Sequence, residues 1–301
     1  MHIHQRFDIL NQMKEVSRYQ HPLEIGRTTL DLSRRTYVMG ILNVTPDSFS
    51  DGGKYLYVDA AVARGLEMID EGADIIDIGG ESTRPKDVYG ETHTVTLDEE
   101  LQRIIPVIEG LRNRSDIIIS VDTTKSVVAE QAVAAGASII NDISGLKFDG
   151  EIASVAARHQ AALIVMHIQG TPETMQANPQ YTDVVKEVYS ELQQSVEKAR
   201  NAGVRNIIID PGIGFGKNLD HNLSLLKHLD EFCCMELPIL IGTSRKGFIG
   251  KILNASVDDR LEGTAASVAA AIMNGVNIIR VHDVKAMKRV AMIIDAILYA
   301  Q

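Results

Sequence analysis

Along most of the chain, short runs of β-branched and other apolar residues alternate with longer stretches whose apolar positions recur at helical spacing. The short runs are Tyr37–Leu42, Asp74–Ile78, Ile117–Val121, Ser138–Ile140, Ala161–Met166, Asn206–Ile209, Pro238–Ile241 and Asn277–Val281. Each is nearly all apolar, the pattern of parallel strands buried on both faces. Between them the spacing predicts helices such as Val58–Glu71, Leu97–Leu111, Lys125–Ala135 and Thr182–Ala202. Gly72, Gly136 and Gly203 stand where a left-handed residue would end a helix before the next strand. Eight such units with short connections predict a single (β/α)8 barrel of the α/β class. A doubly wound open sheet is the alternative, but it needs a topological switch point, and no G-x-G-x-x-G follows the first strand. Leu23–Leu30 predicts a hairpin turning at Gly26-Arg27 and placed to plug the lower end of the barrel. Residues 1–22 then form an extension and 23–301 the barrel domain.

Two inserts break the rhythm, Val44–Tyr57 after the first strand and Gly79–Thr96 after the second. Loops of that length in a compact domain are usually functional or disordered, and both leave the carboxyl ends of strands, where barrel enzymes keep their chemistry. The same rim is polar throughout. The strands lead in turn into Asn43, Glu81-Ser-Thr-Arg84, Asp122, Asn141-Asp142, Met166-His167, Asp210, Gly242-Thr-Ser-Arg-Lys246 and Arg280-Val-His282. One Asp after a strand reads equally well as a helix cap, but caps do not call for Lys, Arg and His. Asp122, Asn141, Asp210 and Lys246 suit a flat heterocycle that presents both donors and acceptors. Arg280 and His282 alternate with Val281, share a face, and lie at the usual phosphate site of a barrel. Pro211–Lys217 holds three glycines but lacks the Lys-Ser/Thr ending of a phosphate loop. It fits a tight turn that brings backbone and Phe215 to a planar ligand. No nucleophilic triad, H-E-x-x-H or Walker loop is present.

Composition narrows the partners. A net charge of −10 over 301 residues argues against a nucleic-acid surface while leaving an anionic small molecule open. Adjacent Cys233 and Cys234 have no zinc-like spacing and read as small, at least half-buried side chains. His2, His4, His21 and His93 read as surface residues, and Met68 and Met273 as core filler. His167 serves either as a structural partner or as a ligand contact. Neither a signal peptide nor a run of membrane-spanning length is visible, so the expected location is cytoplasmic, without a membrane partner.

Met39–Gly53 and Gly72–Pro85 resemble two signatures of the dihydropteroate synthase family. The likeness continues through Ser120–Thr123, Ile140–Ile143, Met166–Gly170, Asp210–Gly212, Ser244–Lys246 and Arg280–Asp283. The resemblance implies condensation of 6-hydroxymethyl-7,8-dihydropterin diphosphate with p-aminobenzoate, by a dissociative, Mg²⁺-assisted substitution, in a homodimer. It places Asp122, Asn141, Met166, Asp210, Phe215, Gly242 and Lys246 around the pterin. Asn43, Thr83, Arg84, Arg280 and His282 fall at the diphosphate, with Asn43 at the metal, and Phe49, Thr83, Pro85 and Ser244 at the aminobenzoate, a place that sulfonamides also take. Asp122, Lys246, Arg280 and His282 are the expected catalytic set. In one departure Lys86 stands where the family commonly has Gly, which removes backbone freedom from the second loop. A methyltransferase using methyltetrahydrofolate and a corrinoid partner would share the Asp/Asn pocket but not need the Ser244–Lys246, Arg280 and His282 cations. A pterin-binding but catalytically silent paralogue is the rival of another class.

Overall fold

The computed structural model describes residues 18–26, 28–45, 54–81 and 95–300, with the side chains of 54–56 left out. Hairpin strands β1 (Pro22–Ile25) and β2 (Thr28–Asp31) pair antiparallel. Eight parallel strands follow: β3 (Tyr37–Asn43), β4 (Ile75–Gly79), β5 (Ile118–Asp122), β6 (Ile139–Asp142), β7 (Ala162–Met166), β8 (Ile207–Asp210), β9 (Leu240–Ile241) and β10 (Ile278–Val281). They lie in the order β8-β7-β6-β5-β4-β3-β10-β9. The last seam is closed by the Ile209 N–H donating to the Pro238 carbonyl at 3.0 Å and a parallel bridge from Ile209 to Ile239.

The helices among the described residues are α1 (Lys54–Asp70), α2 (Leu97–Arg112), α3 (Ser126–Ala134), α4 (Glu151–His159), α5 (Val184–Asn201), α6 (Leu219–Lys227), α7 (Gly247–Leu253), α8 (Leu261–Met273) and α9 (Val284–Leu298). Local chemistry sets several ends. Thr96 and Glu99 form a capping box at the start of α2, and the Asp183 carboxylate accepts from the Lys186 N–H at the start of α5. Gly72, Gly136 and Gly203 have φ of +100°, +121° and +94°, as their place before strands requires.

Strand residues sort by parity. Val38, Ile76, Ile119, Ile140, Leu163, Ile209 and Val281 face out into the helix-covered core. Met39, Ile75, Ile118, Ile139, Ile164, Ile208 and Ile278 face in, where Leu23, Ile25, Leu30 and Leu32 of the hairpin segment meet them. The hairpin therefore closes the amino-terminal end, as its sequence predicts. Most strands run one or two residues further into the rim than their apolar runs suggest, because a backbone ladder continues regardless of side-chain polarity. β9 is shorter, starting at Leu240 rather than Pro238, since proline has no N–H to give the ladder. Ile25→Ala is expected to cost roughly 2–5 kcal/mol, as for other buried aliphatic truncations, and to leave substrate KM values unchanged. Urea unfolding and steady-state kinetics on that variant check this.

Two minor expectations change. Met68 is buried, but Met273 is 48% exposed, and Cys234 is exposed while Cys233 is half-buried. Met273 closes α8 on the outer surface, where helical periodicity does not say which neighbour covers the face. His21 is exposed as expected, whereas His2, His4 and His93 lie outside the described residues.

Candidate active site

Above the apolar floor, the next inward-facing positions turn polar. Strand register places Asp77 beside Ser120, Asp122 beside Asn141, and Met166 beside Asp210. They open into a cavity of about 730 Å³ at the carboxyl mouth. Asn43, Asp122, Asn141, Met166, Asp210, Phe215, Gly242, Ser244, Lys246, Arg280 and His282 all line it. Seven of the eight strands and the loops after them thus bring together every predicted site residue that is described. Phe49, Thr83, Arg84, Pro85 and Lys86 lie outside the described residues.

Arg280 occupies the centre. Its Nε donates to Asp77 Oδ2 and its Nη2 to Asp122 Oδ2, both at 2.6 Å. Asn141 Nδ2 donates to the same Asp77 oxygen at 3.1 Å, which turns its amide oxygen away from Asp77. Asp77 is fully buried, and its other oxygen and the Ser120 hydroxyl have no partner among the described residues. Sequence reasoning missed Asp77 because it is inside a strand-like run rather than after it; an acid interrupting an apolar run was the available signal. The structure also departs from a rim divided into a heterocycle set and a phosphate set. Arg280 bridges the two, since the inward face of β10 points across the barrel at β4 and β5.

Electrostatics follow from enclosure. Burial pushes the Asp210 carboxyl up to about 6, against the Gly212 N–H that donates to it at 2.7 Å and the cations Lys246 and Arg280. Burial also raises Asp122, with Arg280 pulling it back and Asp77 adding to the rise. Lys246 is lowered to about 8 by burial and by Arg280, while Asp210 and Asp122 oppose the shift. Its Nζ stands 4.0 Å from the centre of the Phe215 ring. Phe215, Met166, Ile143, Ile168 and Met175 form a separate apolar cluster that walls one side of the mouth.

Backbone strain aids the cation. Arg245 has φ +57°, and it is pinned by a two-pronged pair with Asp283 at 2.7 and 3.0 Å and by its own N–H donating to Thr264 Oγ1 at 3.1 Å. That turn sends Ser244 and Lys246 into the cavity on either side of Arg245. Ser244 Oγ lies 3.0 Å from His282 Nδ1 and accepts from the His282 N–H at 3.2 Å, so it orients the imidazole.

Acids, an amide and cations meeting at the carboxyl mouth of a barrel are the build of an enzyme for a small polar ligand. Residues 39–282 match the family described as pterin binding enzyme. The chain is 48% identical to the dihydropteroate synthase of Synechocystis over 96% of its length and 99% of that protein's. It is 50% identical to the Bacillus subtilis dihydropteroate synthase, over 90% and 92% of the two chains. Among solved structures, Yersinia pestis dihydropteroate synthase with a sulfonamide drug complex superposes with a TM-score of 0.86 at 44% identity, covering 93% and 100%. The Xanthomonas albilineans dihydropteroate synthase with 4-aminobenzoic acid gives 0.85 at 40%, covering 95% and 100%. The chain belongs to the dihydropteroate synthase family of pterin-binding enzymes.

Proposed function

We propose that this protein joins 6-hydroxymethyl-7,8-dihydropterin diphosphate to p-aminobenzoate. The amine nitrogen bonds to the exocyclic carbon, the carbon–oxygen bond to diphosphate breaks, and the amine loses one proton. The observation that carries this reading is the convergence of Asp122, Asn141, Asp210 and Lys246 beside the Phe215–Met166 wall. Carboxylates accept from an aminopyrimidinone edge, Asn141 offers its free amide oxygen, and Lys246 donates to a ring nitrogen or carbonyl. In a dissociative path positive charge builds on the pterin before attack, and Asp122 and Asp210 in their ionised forms offset it. Gly242 lines the cavity beside Arg280.

Arg280 and His282 face the leaving group, with Thr83 and Arg84 assigned there by resemblance. The resemblance assigns Phe49, Thr83, Pro85 and Ser244 to the aminobenzoate, where a sulfonamide would compete. Asn43 ends β3 half-buried at the mouth, and its amide oxygen is the hard, neutral donor that Mg²⁺ accepts alongside water and substrate phosphate. Among the described residues no cluster of three acidic, His or Cys ligands offers a denser cage. Bound there, Mg²⁺ would neutralise charge on the departing diphosphate.

A homodimer is supported by the exposed Met292, Ile293 and Ile297 on α9 and Met273 on α8. A cytoplasmic location fits a chain in which no described helix is long and apolar enough to cross a membrane. The test is to mix the purified protein with Mg²⁺ and both substrates and follow diphosphate and dihydropteroate. Both products are expected in equal amounts, and failure to form either refutes the assignment.

A further inference from the structure

The glycine turn between β8 and α6 contains a buried lysine that the chemistry above does not use, its amine pushed down to about 7 by burial. Lys217 is 2% exposed. Its Nζ donates to the Phe215 carbonyl at 2.9 Å and to the His167 carbonyl at 3.4 Å, and lies 2.9 Å from His167 Nδ1. A buried ammonium is costly unless its donors are met, and here the acceptors belong to two adjoining segments of chain. Donation to Nδ1 places the imidazole proton on Nε2, which stands 3.3 Å from Glu191 Oε2 in a contact whose geometry falls short of a hydrogen bond. Burial together with Lys217 holds His167 down near 4, so the ring stays a neutral acceptor.

The two segments touch backbone to backbone. A Cβ at Gly212 (φ +71°) would collide with the His167 carbonyl, and one at Gly216 (φ +63°) with the Gln169 carbonyl. Lys217 ties the layers at this contact. Gln176 Nε2 and Tyr181 Oη tie it again, donating to the Gly214 and Gly216 carbonyls at 2.8 Å each. On the cavity side of the same turn, Phe215 lies against Lys246.

We propose that Lys217 is a positioning residue: its bonds to Phe215 and His167 hold the glycine turn so that Phe215 and Lys246 form one fixed wall for the pterin. This rests on the pterin reading of the cavity. The role was not visible in the sequence, where the lysine closes a motif that lacks the ending of a phosphate loop.

The protein has no tryptophan, so Phe215→Trp places one fluorophore in the wall. In that background Lys217→Met is expected to shift the emission to the red and to weaken quenching by a bare pterin. In the otherwise native protein, Lys217→Met is expected to raise KM for the dihydropterin diphosphate roughly tenfold while KM for p-aminobenzoate stays within about twofold. A folded Lys217→Met protein with unchanged pterin KM, or with both KM values raised alike, overturns the proposal. Should Lys217→Met fail to fold, Lys217→Gln keeps a shorter, neutral donor that cannot make all three contacts. A rise of about threefold in the pterin KM is then expected, and no rise overturns the proposal. If the native protein binds a bare pterin but forms no dihydropteroate, the assigned reaction fails. The emission comparison still decides the role of Lys217.

Discussion

Arg280→Ala is expected to abolish turnover and to cost about 3–5 kcal/mol of stability at neutral pH, because the guanidinium separates the fully buried Asp77 carboxylate from the half-buried Asp122. Asp77 and Asp122 both bond to it at 2.6 Å, and Asp77 has no access to solvent. Removing the cation also frees Asn141, whose amide is set by the same Asp77 oxygen. Binding of a bare pterin should therefore weaken along with diphosphate binding. The place of Arg280 at the barrel's phosphate end suggests on its own that pterin binding would survive. The pH dependence carries a sign. Asp122 is already raised by burial, and without Arg280 it rises further. The folded variant then holds a proton that the unfolded chain has lost, so its deficit against the parent narrows as pH falls. Urea unfolding at about pH 5 and about pH 8, with calorimetry of pterin binding, tests this set. Unchanged stability and unchanged pterin affinity would show that the four residues do not act as a unit.

Lys246→Met is expected to lower kcat/KM for the pterin substrate roughly 10–150-fold, the span for losing a charged hydrogen bond of about 1.5–3 kcal/mol, and to erase one limb of the pH profile. In the parent, Asp210 must be ionised, which requires pH above about 6. Lys246 must be protonated, which requires pH below about 8. The profile is therefore a bell whose alkaline side falls near 8 and whose acid side is set by Asp210 together with the more strongly raised Asp122, which must also be ionised. Stability moves differently. Between the ordinary carboxylate range and about 6, the folded state keeps a proton on Asp210 that the unfolded chain has released, so stability falls as pH rises. From about 8 to 10.5 the unfolded chain is the one that keeps the proton on Lys246, so stability rises with pH across that window. An alkaline limb that persists in Lys246→Met would assign it to another group.

Much of the architecture was legible because it rests on local rules. Apolar runs fully covered on both faces and positive-φ glycines before strands are properties of neighbours in sequence. The hairpin was legible for the same reason, and its plugging role followed from its place before a closed barrel. Much of the polar rim could be read because Asn43, Asp122, Asn141 and Asp210 each stand one residue past an apolar run. Asp77 could not be separated from its strand in that way, and Lys217 looked like the tail of an incomplete phosphate motif.

The sequence alone determined the eight-fold alternation, the end of the barrel that carries chemistry, and the residue types available there, since period, turn chemistry and polarity are set by short stretches of chain. Only the tertiary structure decided the pairings. Arg280 and Asp77 are 203 positions apart, and Lys217 and His167 are 50 apart. Strand register and barrel closure bring each pair within bonding distance. In that enclosure burial shifts Asp210 and Lys246 toward neutrality, an effect of the surroundings that neither residue carries by itself.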